Sequence, residues 1–295
     1  MPSLKEVKNR ITSVVSTQQI TKAMKMVAAA KLRKSQERIH QMRPFAQKLS
    51  ALLQNLSAAQ LDSDGDNWYS AVREEKKILI ISISSDRGLC GSFNSNVFKG
   101  VNRVIEERYS AALSKGNVTV LTIGKKSSDY FSKRKCNMLG DFTLLFHSLS
   151  FEDVAKAAEF IMDAYKHGKY DKVELVYNEF KNVATQILRV EQFLPIVRPR
   201  SGKSSGPNVD YIYQPSQEEI ITSLIPQSLK VQLYKAVLDS NAAENGARMT
   251  AMDKATENAG ELLKQLRLTY NRTRQAAITK EILEIVGGAE ALKST

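Results

Sequence analysis

The chain of 295 residues contains 42% hydrophobic and 25% charged residues and has a formal net charge of +12, a composition typical of one or two globular domains. No apolar run of about eighteen residues is present, so we expect no transmembrane helix, and the first residues do not predict a signal peptide. Two cysteines and three histidines are too few for a zinc cluster or a disulfide framework, and no cofactor is expected.

Most of the positive charge lies in the first 57 residues, which contain 11 Lys or Arg and two acidic residues. Such a segment attracts nucleic acid, an anionic membrane surface or an acidic protein, and the alternative is a solvated helix face. Stacking on single-stranded nucleic acid needs aromatic residues, and the only one in this segment is Phe45. The composition therefore disfavours nucleic acid as a partner.

Residues 1–57 are predicted to form one long helix, because residues 4–56 contain no glycine and a single proline, Pro44. Apolar residues recur in steps of three and four, the spacing of a coiled-coil seam, at Val7, Ile11, Val14, Leu32, Ile39, Met42, Ala46, Leu49, Leu53 and Leu56. The same register passes through Gln18, Thr21 and Lys25, so the seam becomes polar for about two heptads. Two ordinary bundle helices, broken near Pro44 and Gly246, are the alternative to a long coiled coil.

After a linker at 58–75, residues 76–225 are predicted to form an α/β domain of three layers with a partly parallel, Rossmann-like sheet. Strands are predicted at 77–83, 118–123, 173–180 and 186–193, and helices at 96–107 and 151–167. The segment at 202–204 lacks the first glycine of a P-loop, and residues 87–92 lack the G-x-G-x-x-G spacing. Nucleotide binding and catalysis by this chain are therefore disfavoured, and Cys90 is interpreted as a small buried side chain.

The last segment, 226–295, is predicted to be a second long helix with Pro226 in its first turn. Small residues recur every four positions at Ala243, Ala247, Ala251, Ala255 and Ala259 and would let another helix approach closely. An apolar stripe continues through Leu262, Leu266, Ile278, Ile282 and Ile285. The two terminal helices are therefore predicted to pair antiparallel, with the α/β domain inserted between them.

Five segments in one order resemble a known family, the gamma subunit of F-type ATP synthase. The most specific is 278–291, ITKEILEIVGGAEA, which fits the C-terminal signature of the family at every defined position. The others are 20–29, ITKAMKMVAA; 85–91, SDRGLCG; 247–252, ARMTAM; and 274–279, RQAAIT.

This resemblance implies a central rotor shaft that couples transmembrane proton or sodium flow through the c-subunit ring to ATP synthesis. The implied partners are the alpha and beta subunits, the epsilon subunit and the c-ring, with no bond chemistry in this chain and no membrane span. The resemblance places hexamer contacts at Lys22, Met24, Lys25, Arg248, Gln275, Thr279, Ile285 and Leu292. It places contacts of the foot with epsilon or the c-ring at Tyr211, Tyr213 and Gln214.

The polar segment near Gln18–Lys25 would then lie on a shaft surface that meets the beta subunit rather than only the partner helix. Cys90 and Cys136 are far apart in sequence, so the thiol switch of plant and algal relatives is not expected. The expected location is the cytoplasmic face of a bacterial inner membrane, as a peripheral protein, with a mature organellar form as the alternative. Two other classes remain open: a coiled-coil nucleic-acid protein, with steeply salt-dependent binding, and a nucleotide-dependent α/β enzyme.

Overall fold

A five-stranded sheet forms the centre of the middle region, in the order β3-β2-β1-β4-β5. The computed structural model describes residues 3–59, 68, 69, 71, 73–134, 136–196 and 217–293, with side chains except at 47, 50–59, 148, 217–222 and 290–293. The elements are α1 (Leu4–Ala59), β1 (Ile78–Ile83), α2 (Phe93–Arg108), α3 (Ser110–Ser114), β2 (Val118–Ile123), α4 (Lys125–Phe131), β3 (Asn137–Leu139), α5 (Leu145–Ser148), α6 (Phe151–Lys166), β4 (Lys172–Phe180), β5 (Gln186–Leu194) and α7 (Gln217–Lys293).

The sheet is mostly parallel, because β1 pairs in parallel with both β2 and β4, β2 pairs in parallel with β3, and only β5 runs antiparallel. Every residue of β1 is buried, which is why its sequence is an unbroken run of apolar residues and serine rather than an alternating pattern. Ile81 packs in a cluster with α6 and α7, whereas Ile80 packs on the opposite face with α2. The predicted three-layer α/β arrangement is confirmed.

The chain divides into two compact units, and the boundary between them cuts both long helices. One unit consists of Met1–Ala28 and Met249–Thr295, and the other consists of Ala29–Arg248. Within the first unit Thr21 contacts Thr256 and Lys25 contacts Asp253, and within the second Ser35 contacts Asn241. Positions on α1 therefore rise as positions on α7 fall, which confirms the antiparallel pairing. The four-segment division at 57, 75 and 225 stays a prediction.

Both terminal helices are continuous, so the alternative of helices broken at Pro44 or Gly246 is wrong. At Gly246 an added Cβ would lie 3.3 Å from a ring carbon of Phe180, so this glycine allows α7 to pack closely against the end of β4. The start of the second helix differs from the prediction, because α7 begins at Gln217 and Pro226 lies inside it. The side chains of Ile225 and Leu229, on either side of this proline, are buried in the same apolar cluster as Ile81 of β1.

The remaining predicted elements agree with the structure to within a few residues, and β2 agrees at both ends. Helix α6 begins where predicted because the hydroxyl of Ser150 accepts a hydrogen bond from the backbone N–H of Asp153 at 3.1 Å. The short β3, α3, α4 and α5 carry too few residues to show a period, and they were not predicted.

Candidate functional site

The polar part of the α1 seam faces α7 and forms a polar layer, which consists of Gln18, Thr21, Lys25, Asp253 and Thr256. The Thr21 and Thr256 hydroxyls lie 2.8 Å apart, and Gln18 donates to the Thr256 carbonyl at 3.3 Å. The Lys25 ammonium and the Asp253 carboxylate lie 2.5 Å apart, with 39% and 47% of the two side chains exposed. In the structure the side chains of this segment form hydrogen bonds and an ion pair with the partner helix. The predicted contact of this segment with another subunit stays a prediction.

The other predicted contact residues of α1 lie outside this layer. Lys22 is exposed and Met24 is half-buried. Exposed apolar side chains lie beside them, namely Ile20 (59%), Met26 (62%) and Val27 (57%). This part of α1 therefore presents basic and apolar groups together to the outside of the helix pair. Contact of these residues with another subunit stays a prediction.

The Arg248 side chain forms its hydrogen bonds and its ion pair with other residues of this chain. Its guanidinium donates to the carbonyl of Gly88 at 2.6 Å and to that of Arg87 at 3.3 Å, and its Nε donates to the carboxylate of Glu244 at 2.8 Å. Only 13% of the Arg248 side chain and 8% of the Glu244 side chain are exposed. Arg248 thus ties α7 to the loop at 85–91, which connects β1 to α2.

Hydrogen bonds within the loop at 85–91, and between this loop and Asn94 of α2, fix the conformation of the loop. Asn94 accepts from the backbone N–H of Ser85 at 3.0 Å, and the Ser85 hydroxyl donates to the Arg87 carbonyl at 2.6 Å. Cys90 is 1% exposed and burial raises the pKa of its thiol, so it stays protonated at neutral pH and is a poor nucleophile. The Arg87 and Gly88 carbonyls bind the Arg248 guanidinium, so this turn presents hydrogen-bond acceptors rather than a ring of amide donors.

The last turns of α7 expose a terminal apolar face. It consists of Ile278 (49%), Ile282 (54%), Leu283 (65%), Ile285 (71%) and Val286 (55%), where the percentages are exposed fractions. The predicted contact residues Gln275 and Thr279 are exposed on the same stretch and lie one helical turn apart. Leu292 lies within α7, but its side chain is outside the described residues, as are all of Tyr211, Tyr213 and Gln214.

Within the described part of the chain, no group of three or more His, Cys, Asp or Glu residues is arranged to hold a metal ion. Among the same residues, no helix is both long enough and apolar enough to cross a membrane.

Comparison with known proteins decides the family. The family described as ATP synthase matches residues 3–292. The ATP synthase gamma chain of Cytophaga hutchinsonii is 59% identical over the full length of both chains. The chain belongs to the gamma-subunit family of F-type ATP synthase. The resemblance inferred from the five motifs is thereby confirmed, and the chain is a component of the central stalk of the synthase.

Solved structures agree with this gamma-subunit assignment. A central stalk and c-ring structure of Tetrahymena thermophila mitochondrial ATP synthase is 27% identical, with a TM-score of 0.57 over 80% of this chain and 99% of that chain. A Euglena gracilis mitochondrial ATP synthase structure matches with a TM-score of 0.68 over 99% of this chain and 95% of the other, at 22% identity, and supports the fold.

Two gamma-subunit features escaped the sequence analysis, although their signals are present. The motif at 85–91 and the motif at 247–252 were identified separately, and the structure joins them through Arg248. The polar layer was recognised on α1 only, yet Asp253 and Thr256 are complementary polar residues on the facing helix. Neither link can be recognised from one segment of the sequence alone, because each joins residues more than a hundred positions apart.

Proposed function

We propose that this gamma subunit rotates inside a hexamer of alpha and beta subunits and transmits torque from the c-ring, with the epsilon subunit beside its foot. Proton or sodium flow through the ring turns the shaft, and the shaft drives the beta catalytic sites through different nucleotide affinities. The chain itself carries out no bond chemistry. We place the assembly at the cytoplasmic face of a bacterial inner membrane.

One observation carries this proposal: the terminal apolar face of α7. A contiguous group of five large apolar side chains, each about half exposed or more, is a surface that marks an interaction site. The face lies on a helix of the proposed shaft, so the apolar walls of a surrounding ring of subunits can contact it at every angle of shaft rotation. The proposed hexamer contacts are Lys22, Met24, Lys25, Arg248, Gln275, Thr279, Ile285 and Leu292, and the proposed foot contacts are Tyr211, Tyr213 and Gln214.

Gln275 and Thr279 give the sharpest test of torque transmission, because both are exposed and have no described role within the chain. If they bond the hexamer only at some rotor angles, Gln275→Leu and Thr279→Val should lower ATP synthesis and hydrolysis per assembled complex while assembly is unchanged. Each lost hydrogen bond is worth about 0.5–1.5 kcal/mol, a turnover loss of about two- to ten-fold. Thr269→Val is the matched control, because this exposed threonine bonds the Gln265 carbonyl of its own helix at 3.0 Å. Equal turnover in all three variants would contradict the assignment of these two contacts.

A further inference from the structure

A cavity of about 600 Å³ opens between α1, α7 and the β4–β5 edge of the sheet, within the unit Ala29–Arg248. Its volume is in the range of small-molecule sites, which are about 300–1,000 Å³. The apolar part of its lining includes Ile39, Met42 and Leu49 of α1 and Val231 and Leu238 of α7.

The lining also contains three carboxylates, Glu179 of β4, Glu191 of β5 and Asp239 of α7, together with the cations Arg43 and Lys235. Two of these carboxylates already have partners. Glu179 accepts from Arg189 at 2.6 Å, and Glu191 accepts from the Tyr177 hydroxyl at 2.8 Å. Their charges are therefore engaged by neighbouring side chains of the sheet.

Asp239 differs from both, because it is 4% exposed and its carboxylate forms neither a side-chain hydrogen bond nor an ion pair within the described part of the chain. Burial raises its pKa to about 6. The cations that face it are Arg43 of α1 and Lys235 of α7; they lower its pKa, but neither nitrogen lies within 4 Å, the distance of an ion pair. A buried carboxylate without a partner is costly, and a cation that fills the space beside it removes that cost.

We propose that this cavity binds a small organic monocation, an alkylammonium or alkylguanidinium ion whose charge pairs with Asp239 and whose apolar stem lies against Ile39, Met42 and Leu238. The size of the cavity, the apolar side chains in its lining and the unpaired Asp239 carboxylate all match this class of ligand. A neutral apolar molecule would leave the Asp239 carboxylate uncompensated, and an anion would add a like charge beside that buried carboxylate.

The probe is n-hexylammonium, titrated calorimetrically into the full chain at pH 7.5, where Asp239 is ionised. We expect saturable 1:1 binding that Asp239→Asn weakens about ten- to hundred-fold, the worth of a charge-assisted bond. Asp163→Asn, an exposed carboxylate on α6, is the matched control and should leave binding unchanged. 1-Hexanol, the neutral analogue, should bind at least about ten-fold more weakly. Absence of saturable binding, equal affinity in Asp239→Asn, or equal affinity for hexanol would each overturn the proposal.

Two further measurements keep the proposal testable if Asp239→Asn is poorly folded. Lys235→Gln removes a competing exposed cation and should tighten binding, whereas weaker binding would contradict the assigned charge partner. Lowering the pH from 7.5 to 5 should weaken binding about ten-fold as Asp239 is protonated, given that Arg43, Lys235, Glu179 and Glu191 are the charged groups facing it. The titration is repeated on the assembled ATP synthase complex. Retained binding in the complex would support a free small molecule as the natural ligand. Lost binding would overturn that source and indicate that a Lys or Arg side chain of another subunit fills the cavity.

Discussion

The two ends of α7 differ in what surrounds them. From Leu229 to Ala247 most side chains are buried, including charged and amide groups such as Asp239, Glu244 and Asn245. From Ile278 to Val286 the apolar side chains are mainly exposed. One continuous helix therefore carries a stretch that is packed within its own chain and a stretch whose apolar side chains are about half exposed or more among the described residues.

This difference separates the apolar residues of α7 that are buried when the chain folds from those that are available for the proposed contacts with other subunits. Apolar residues recur at helical spacing in both stretches, so periodicity alone does not distinguish a stripe that packs in the core from a stripe that binds a partner. Burial within the chain separates them. Because the apolar residues beyond Ile278 are mainly exposed, we expect them to contribute little to the stability of the isolated chain, and we propose that they contact other subunits.

The largest effect is expected at the buried pair of the first stretch. Arg248→Met removes the one cation that is bonded to the Glu244 carboxylate among the described residues and should destabilise the isolated chain by about 3–5 kcal/mol, because a buried charge is left unpaired. Burial already raises the Glu244 pKa, and loss of Arg248 raises it further. Stability of the variant should therefore fall as pH rises through that pKa, and the deficit should shrink in acid. Urea unfolding followed by circular dichroism measures both effects.

The control for Arg248→Met is Arg33→Met. Arg33 forms a pair with Glu37 at the same spacing of four, but 84% and 60% of these side chains are exposed. Removing such a pair should cost at most about 0.5 kcal/mol. Equal losses in the two variants would mean that burial of the Glu244–Arg248 pair is irrelevant to its strength.

A matched pair of alanine substitutions tests the same comparison on apolar residues. Leu233 is 0% exposed, and Leu233→Ala should destabilise the isolated chain by about 2–5 kcal/mol through lost burial and a cavity. Ile282 is 54% exposed, and Ile282→Ala should change stability by no more than about 0.5 kcal/mol. Urea denaturation of the purified chain gives both values. A large loss in Ile282→Ala would show that the terminal apolar face is packed within the chain.

Much of the fold follows from the sequence because its signals are local. The seam of α1 was predicted in register, including its polar positions, and Val7, Thr21 and Leu32 are buried as that register requires. The strand β1 was predicted from an apolar run bounded by charge. The extension of α7 back to Gln217 was not predicted, because packing beneath the sheet outweighs the usual preference of Pro226 for a first turn.

The functional surfaces are less predictable for a physical reason. Exposure of Ile285 and engagement of Arg248 depend on which distant segments lie nearby, and a sequence pattern on one helix does not contain that information. Motif resemblance supplied candidate residues without their surroundings. The structure supplies surroundings, and it separates Gln275 and Thr279, which face outward, from Arg248, which bonds the loop at 85–91.

A smaller effect than at Arg248 or Leu233 is expected in the polar layer, which lies between the two ends of α7. Thr256→Val removes the 2.8 Å contact with Thr21 but leaves the Thr21 hydroxyl a second acceptor, the Gln18 carbonyl at 3.0 Å. The expected loss is therefore about 1 kcal/mol, that of an ordinary hydrogen bond. Thr21→Val should cost a similar amount.

The double variant of the two threonines decides between two accounts of this layer. If the hydroxyls act as a pair, Thr21→Val with Thr256→Val should cost less than the two single losses added, because two apolar groups of the same shape replace a bonded pair. Lys25→Gln is the control within the layer, since its pair with Asp253 is partly exposed and worth about 0.2–1 kcal/mol. Strictly additive threonine losses, measured by urea unfolding, would mean that each hydroxyl is held by its own helix. The seam would then tolerate polar residues here without drawing stability from their pairing.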